Sequence, residues 1–272
     1  MSKIGFIGGG NMARALIGGL LADGKSAADI LVSEPVTEAA QRLQSEFGVQ
    51  VSSDNDQVAG QVDCLVLAVK PQVIKGVVTG IADTVRASRP LLVSIVAGIP
   101  VASLENWLTD TAALVRTMPN TPALVGKGIT ALFANGSVTE SQHRLAEQIM
   151  DAVGETLWVD DESLLDAVTA VSGSGPAYFF RVMEAMVAAG QSLGLTAEQS
   201  TRLTLATAAG AAELAIRSEY SVAQLRQQVT SPGGTTAAAL EVMQELDVGD
   251  LFDQALRAAH RRAGELAQEL GS

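Results

Sequence analysis

Lys3-Ile4-Gly5-Phe6-Ile7-Gly8-Gly9-Gly10-Asn11-Met12-Ala13 decides how the first half of this chain is read. A short strand-like run leads into Gly-x-Gly-x-x-Ala, and Arg14 to Leu21 continues with a helical pattern. Strand, glycine turn and helix in that order make the βα unit that binds the pyrophosphate of a dinucleotide. On that reading Gly8 makes the tight turn, Gly10 lets the backbone approach the ligand, and Ala13 permits close packing of helix on strand. The glycine spacing is common to many folds, so the strand before it and the helix after it are what give it meaning.

Working outward, Asp29 to Ser33 reads as a second strand that ends in Glu34-Pro35. An acid roughly 20 residues beyond the glycine turn is placed to grip a ribose 2′-hydroxyl and would repel a 2′-phosphate. No basic residue stands beside Glu34, which favours NADH on physical grounds. The βα alternation then continues, with a helix over Val36 to Phe47, a strand over Gln50 to Ser52, and a short helix over Asp54 to Gly60. Asp63 to Val69 is a continuous apolar run, as a parallel strand covered on both faces requires. Lys70-Pro71-Gln72 follows at its carboxyl end, where ligands of open α/β sheets bind. One helix is expected from Gln72 to Val85, then strands at Leu91 to Ile95 and Ala113 to Thr117. Gly128 to Ala134 and Glu155 to Val159 close the sheet around a helix over Glu140 to Val153. Alternation of this kind predicts a doubly wound, Rossmann-type α/β domain over residues 1–160.

From Asp161 the pattern changes to helix alone, and no lysine follows Lys127. Ser172-Gly173-Ser174-Gly175-Pro176 reads as a helix entry, with proline suited to the first turn. Thr196-Ala197-Glu198-Gln199 is a capping-box sequence. The helices over Ala177 to Leu193 and Ser200 to Arg217 are apolar nearly all round, which a domain of this size cannot cover alone. A second subunit is therefore expected to cover them. Residues 161–272 form an all-helical domain on this reading. Within it, Thr230-Ser231-Pro232-Gly233-Gly234-Thr235-Thr236 precedes an apolar helical run, Ala237 to Met243. Hydroxyls and glycines at a helix start suit a small anion such as a carboxylate.

Composition excludes several classes. Of 272 residues 47% are apolar and the formal charge is −12, so the basic stripe of a nucleic-acid surface is missing. Every apolar run is interrupted before membrane-spanning length, and no apolar signal region follows Met1, which predicts a soluble, cytoplasmic protein. The lone Cys64 reads as a buried small side chain. His143 and His260 read as surface residues, and Glu162 with Asp166 as a solvated helix face; no metal site is expected.

Taken together, Gly8 to Ala13, Val69-Lys70-Pro71-Gln72, Met118-Pro119-Asn120-Thr121-Pro122, Ser172 to Tyr178 and Thr230 to Thr236 resemble the pyrroline-5-carboxylate reductase family, in order and over essentially the whole chain. The resemblance implies reduction of 1-pyrroline-5-carboxylate to L-proline with NADPH or NADH. It also implies a homodimer formed through the helical domain and gathered into a decamer. By the same resemblance Gly8, Gly10, Asn11 and Met12 cradle the pyrophosphate, Ser33 and Glu34 lie near the adenosine ribose, and Asn55 touches the cofactor. Val69, Lys70, Pro71, Ala97 and Gly98 line the nicotinamide side. Ser231, Gly233, Gly234, Thr235 and Thr236 hold the substrate carboxylate, Thr236 hydrogen-bonds the ring nitrogen, and Glu162 lies close to the substrate. Gln228 stands where the family often has another polar residue facing the cofactor. Two rival readings remain: a β-hydroxyacid dehydrogenase, which would need a catalytic lysine in the helical half, and a non-catalytic dinucleotide-sensing module.

Overall fold

The computed structural model describes residues 2–109 and 112–271. Its contacts divide the chain into two compact units, one running to Ser174 and resuming at Ala259, the other spanning Gly175 to Ala258. The first unit is built on an eight-stranded sheet of order β3-β2-β1-β4-β5-β6-β7-β8. Its strands are β1 (Ile4–Ile7), β2 (Ile30–Ser33), β3 (Gln50–Ser52), β4 (Cys64–Leu67), β5 (Leu91–Ser94), β6 (Leu114–Met118), β7 (Gly128–Ala134) and β8 (Gly154–Trp158). The crossover helices are α1 (Asn11–Ala22), α2 (Thr37–Phe47), α3 (Asn55–Ala59), α4 (Ile74–Gly80), α5 (Ala82–Ser88), α6 (Val101–Leu108) and α7 (Glu140–Asp151).

Alternation of side chains along each strand creates two apolar layers. Ile4, Phe6, Val32, Val66 and Val93 meet α1, α2 and α7 on one face. Ile7, Leu31, Leu65, Leu67 and Leu92 meet α3 to α6 on the other. This is the doubly wound fold that the sequence implies. Two details differ from it. The helix expected over Gln72 to Val85 is two, broken at Ile81 just after Gly80, a residue that weakens a helix interior. The pairing of β7 with β6 is antiparallel, whereas all other pairs are parallel. Residues 119–127 are too few for the crossover helix of a parallel connection, so the chain turns back instead.

A turn at Asp161 to Ser163 leads into α8 (Leu164–Val168), and a π-helical turn over Thr169–Gly173 follows it. The second unit holds α9 (Gly175–Ser192), α10 (Ala197–Arg217), α11 (Val222–Gln228) and α12 (Thr235–Glu245), and α13 (Val248–Leu270) begins there. The capping box at Thr196 is formed, with its hydroxyl accepting from Gln199 N and the Gln199 side chain accepting from Thr196 N. Gly190 of α9 lies against Ser200 of α10, whose hydroxyl donates to Val187 O at 2.7 Å. Few side chains of this unit are buried, and Phe179 of α9 is 67% exposed. Apolar surface of this extent marks an association face. Among the described residues no helix is long and apolar enough to cross a membrane.

Cys64 is fully buried in β4, as expected. Burial, reinforced by the charge of Asp63 and only partly offset by Lys25, pushes its thiol well above the ordinary range. Since the thiolate is the reactive form, a maleimide should fail to label the native protein and should label it fully in denaturant. Rapid labelling of native wild-type protein would contradict this packing.

Candidate functional site

The carboxyl ends of β1, β2, β4 and β5 gather most of the residues singled out in the first half. Gly8 follows β1 with φ +98°, and a Cβ there would lie 2.5 Å from Ala68 O. Only glycine fits such a turn. Gly10 is exposed, has no neighbour where a Cβ would stand, and caps α1 without a side-chain hydrogen bond. Asn11 and Met12 open the helix, so its first N–H groups face free space. An anionic group fits there, because backbone donors and the helix dipole act together.

Ser33 ends β2, buried, and its hydroxyl donates to Asn55 Oδ1 at 2.6 Å, joining β2 to the start of α3. Glu34 does not hang in solvent. Its Oε2 accepts from Gly9 N at 2.9 Å and its Oε1 from Val36 N at 3.0 Å. The carboxylate is thus fixed against the glycine turn. Val69, Lys70 and Pro71 follow β4, with Lys70 exposed. Ala97 and Gly98 follow β5; Gly98 has φ +74° and packs beneath Leu266 and Leu270 of α13.

Glu162 overturns the expectation of a solvated helix face. It precedes α8 and so shares no helix turn with Asp166. Its Oε1 accepts from Val101 N and from Arg116 Nη1, both at 2.8 Å. The Arg116 side chain is 8% exposed and that of Glu162 24%. Glu162 thereby ties the middle of β6 to the start of α6, a few residues beyond the Gly98 turn. Arg116 escaped the sequence reading, although a lone cation in an apolar strand was its signal. Asn120 also escaped. It donates to Ser172 Oγ at 3.1 Å and accepts from Ile129 N at 3.1 Å. Gly173 presses on Met118, where any Cβ would overlap its methyl group. The Met118–Pro122 and Ser172–Gly175 segments are therefore joined. His143, expected at the surface, is half-buried and stacks on Trp158 with ring centroids 3.4 Å apart.

The remaining candidates belong to the second unit. Gly233 has φ +69°, Gly234 N donates to Ser231 O at 3.0 Å, and Gly234 caps α12. The helix begins at Thr235, earlier than the apolar run suggests, so Thr235 and Thr236 form its first turn. No side chain caps this helix start. Its geometry leaves N–H groups and hydroxyls together, as an anion requires.

A Rossmann sheet with a glycine turn of this geometry defines a dinucleotide-binding class of protein, and the exposed apolar helix faces mark an association surface. Residues 3–98 match the family model described as "NADP oxidoreductase coenzyme F420-dependent", and residues 162–266 match "Pyrroline-5-carboxylate reductase dimerisation". The chain is 50% identical to a pyrroline-5-carboxylate reductase of Pseudomonas aeruginosa, over 99% of this chain and 98% of that protein. A solved pyrroline-5-carboxylate reductase from Coxiella burnetii superposes with TM-score 0.94 at 45% identity, covering 98% of each chain. The pyrroline carboxylate reductase of Plasmodium falciparum, solved with NADP bound, gives 0.87 at 29% identity, also over 98% of each. The chain belongs to the pyrroline-5-carboxylate reductase family.

Removing one partner of a largely buried ion pair strands the other charge. Arg116→Ala should therefore lower the unfolding free energy by about 3 kcal/mol. Urea titration followed by circular dichroism measures this, and an unchanged midpoint and slope would show that the pair contributes nothing.

Proposed function

We propose that this chain reduces 1-pyrroline-5-carboxylate to L-proline, using NADH or NADPH as the reductant. The observation that carries the reading is its full-length similarity to the Pseudomonas aeruginosa reductase, spanning both the glycine turn and the Thr230–Thr236 loop. In this reading residues 1–160 are the dinucleotide-binding domain and residues 161–272 the helical domain for substrate binding and dimerisation. The dinucleotide, when bound, supplies the hydride. Gly8, Gly10, Asn11 and Met12 hold its pyrophosphate through backbone N–H groups. Ser33, Glu34 and Asn55 face its adenosine end, and Val69, Lys70, Pro71, Ala97 and Gly98 form the wall for its reactive ring.

The substrate carboxylate is held at the start of α12 by Ser231, Gly233, Gly234, Thr235 and Thr236. The free N–H groups of that helix turn neutralise its charge without a basic side chain. Thr236 reaches the ring nitrogen, and Glu162 stands close to the substrate. A cyclic imine is basic enough to bind in its protonated form, so the chain must place it and need not supply a strong acid. When hydride adds at the C=N carbon, the C=N π electron pair becomes the lone pair of the ring nitrogen, which already carries its proton. Thr236 stabilises that nitrogen by a hydrogen bond, and holding both reactants in one orientation can supply several kcal/mol. The active form is a homodimer, assembled into a decamer and working in the cytoplasm. In the isolated chain the site would be incomplete, and dilution to monomer would abolish activity.

The direct test is to incubate purified protein with 1-pyrroline-5-carboxylate and NADH and to follow proline formation. Cofactor oxidation without proline would defeat the proposal. Thr236→Ala should lower kcat/KM by about 100-fold, or ~2.7 kcal/mol, the size of a single transition-state donor; an unaltered kcat/KM would remove Thr236 from the chemistry.

The fixed carboxylate of Glu34 supports a preference for NADH, since it would face a 2′-phosphate at close range. Glu34→Ala should shift the NADPH-to-NADH ratio of kcat/KM toward NADPH by about tenfold or more, ~1.4 kcal/mol. A ratio that stays where it was would mean that the carboxylate plays no part in cofactor choice.

A further inference from the structure

Residues 95–100 leave the carboxyl end of β5 and turn into α6, at the edge of the sheet where α/β proteins meet their ligands. Ala97 is exposed in this turn, and Gly98 beside it adopts φ +74°. A glycine in that conformation keeps wide backbone freedom unless its surroundings pin it. Two contacts do so. Glu162 accepts from Val101 N at 2.8 Å, just after the turn. The last turns of α13, which from Ala259 belong to the same compact unit, lie directly on Gly98. A Cβ on Gly98 would stand 3.5 Å from both Leu266 Cβ and Leu270 Cδ1. The Ser103 hydroxyl of α6 donates to Gly271 O at 2.7 Å, and Leu270 packs on the apolar layer that holds Ile99 and Leu104. Gly271 is itself pressed on the turn, since a Cβ there would lie 2.8 Å from Ser103 Oγ and 3.1 Å from Pro100 Cδ. On the exposed face of the same stretch Arg262 pairs with both Glu265 and Glu269, linking successive helix turns.

We infer that the C-terminal end of α13 is a positioning strap: Leu266, Leu270 and the Ser103–Gly271 hydrogen bond fix the Ala97–Gly98 turn, and through it the seat of the dinucleotide's reactive ring. This rests on the reading of Ala97 and Gly98 as the wall for that ring, and it names what holds the wall in place. Ser103, Leu266 and Leu270 act through the turn, as positioning residues. Hydride transfer is sensitive to small displacements of either reactant, so a turn free to shift would place the ring poorly. The pyrophosphate seat at Gly8 to Met12 is built from other strand ends and would stay as it is. Loss of the strap should therefore be felt at one half of the cofactor and not at the other.

ADP-ribose separates the two halves, because it carries the adenosine and the pyrophosphate but lacks the nicotinamide ring. Isothermal titration calorimetry with each ligand compares wild-type protein with the Leu266→Ala/Leu270→Ala variant. The dissociation constant for NADH should rise about fivefold or more in the variant, while that for ADP-ribose stays the same. Equal weakening of both ligands, or no change in either, would overturn the inference, since α13 would then support the whole domain or nothing at the site. Wild-type protein that binds the two ligands equally would instead remove the ring from this wall, and with it the reading of Ala97 and Gly98 on which the inference rests. Should the double variant fail to fold, Ser103→Ala deletes only the hydrogen bond and should shift the same ratio in the same direction, by about twofold. In steady-state assays Leu266→Ala/Leu270→Ala should lose about tenfold in kcat with KM for the imine unchanged. Leu266→Met/Leu270→Met keeps the apolar contact and should keep the wild-type kcat; a kcat equally low in both variants would also overturn the inference.

Discussion

The structure depends on the turn that joins β1 to α1. Gly8 N donates to Ser33 O at 2.9 Å, and its α-carbon stands so close to Ala68 that no side chain could be added. The turn is thereby clamped between β2 and β4, the two strands that flank β1 and leave it in opposite directions across the sheet. That reversal of strand order opens the cleft where α/β proteins hold a dinucleotide. Sterics at one glycine thus fix the direction of α1, the opening of its N-terminus, and the separation of the neighbouring strand ends. Larger side chains at Gly8 would move all three.

Two carboxylates extend this rigidity, and each acts through backbone contacts. Glu34 binds Gly9 N and Val36 N, so the acid after β2 and the glycine turn form one hydrogen-bonded body. Glu162 binds Val101 N while paired to Arg116, so β6, α6 and the segment before α8 form another. Charge-assisted hydrogen bonds of this kind are short and directional. They hold the strand ends in register around the cleft; Glu34 occupies the Gly9 N–H, and the space beside Gly10 stays open. The oxidoreductase reading needs such an arrangement, since hydride transfer is sensitive to small displacements of either reactant.

Much of this was legible in the sequence because the determining forces are local. The apolar runs Ile4 to Ile7 and Cys64 to Leu67 are buried parallel strands, and the spacing of Gly8, Gly10 and Ala13 demands the turn that forms. The Thr196 capping box and the helix-start chemistry before α12 are likewise short-range. What escaped is long-range or depends on a balance of small energies. Arg116 and Glu162 are far apart in sequence, and nothing local says that a lone strand cation finds that acid. Asn120 reads only as a residue between prolines until Ser172 and Ile129 are seen to flank it. The break at Ile81 follows Gly80 in a short run that also carries Gly76, and two glycines leave the helix interior weak. The π-helical turn absorbs an extra residue between α8 and α9, which periodicity alone does not reveal.

The central claim is that this chain passes a hydride from a nicotinamide dinucleotide to the C=N carbon of 1-pyrroline-5-carboxylate, with proline as the product. Cofactor carrying deuterium at the transferable position of its nicotinamide ring tests that claim most directly, with 1-pyrroline-5-carboxylate as acceptor and mass spectrometry or NMR of the product. The account predicts proline with one deuterium, located on the former imine carbon, formed in equal amount to the cofactor oxidised. Unlabelled proline, or cofactor oxidised with the label lost to water, would contradict it.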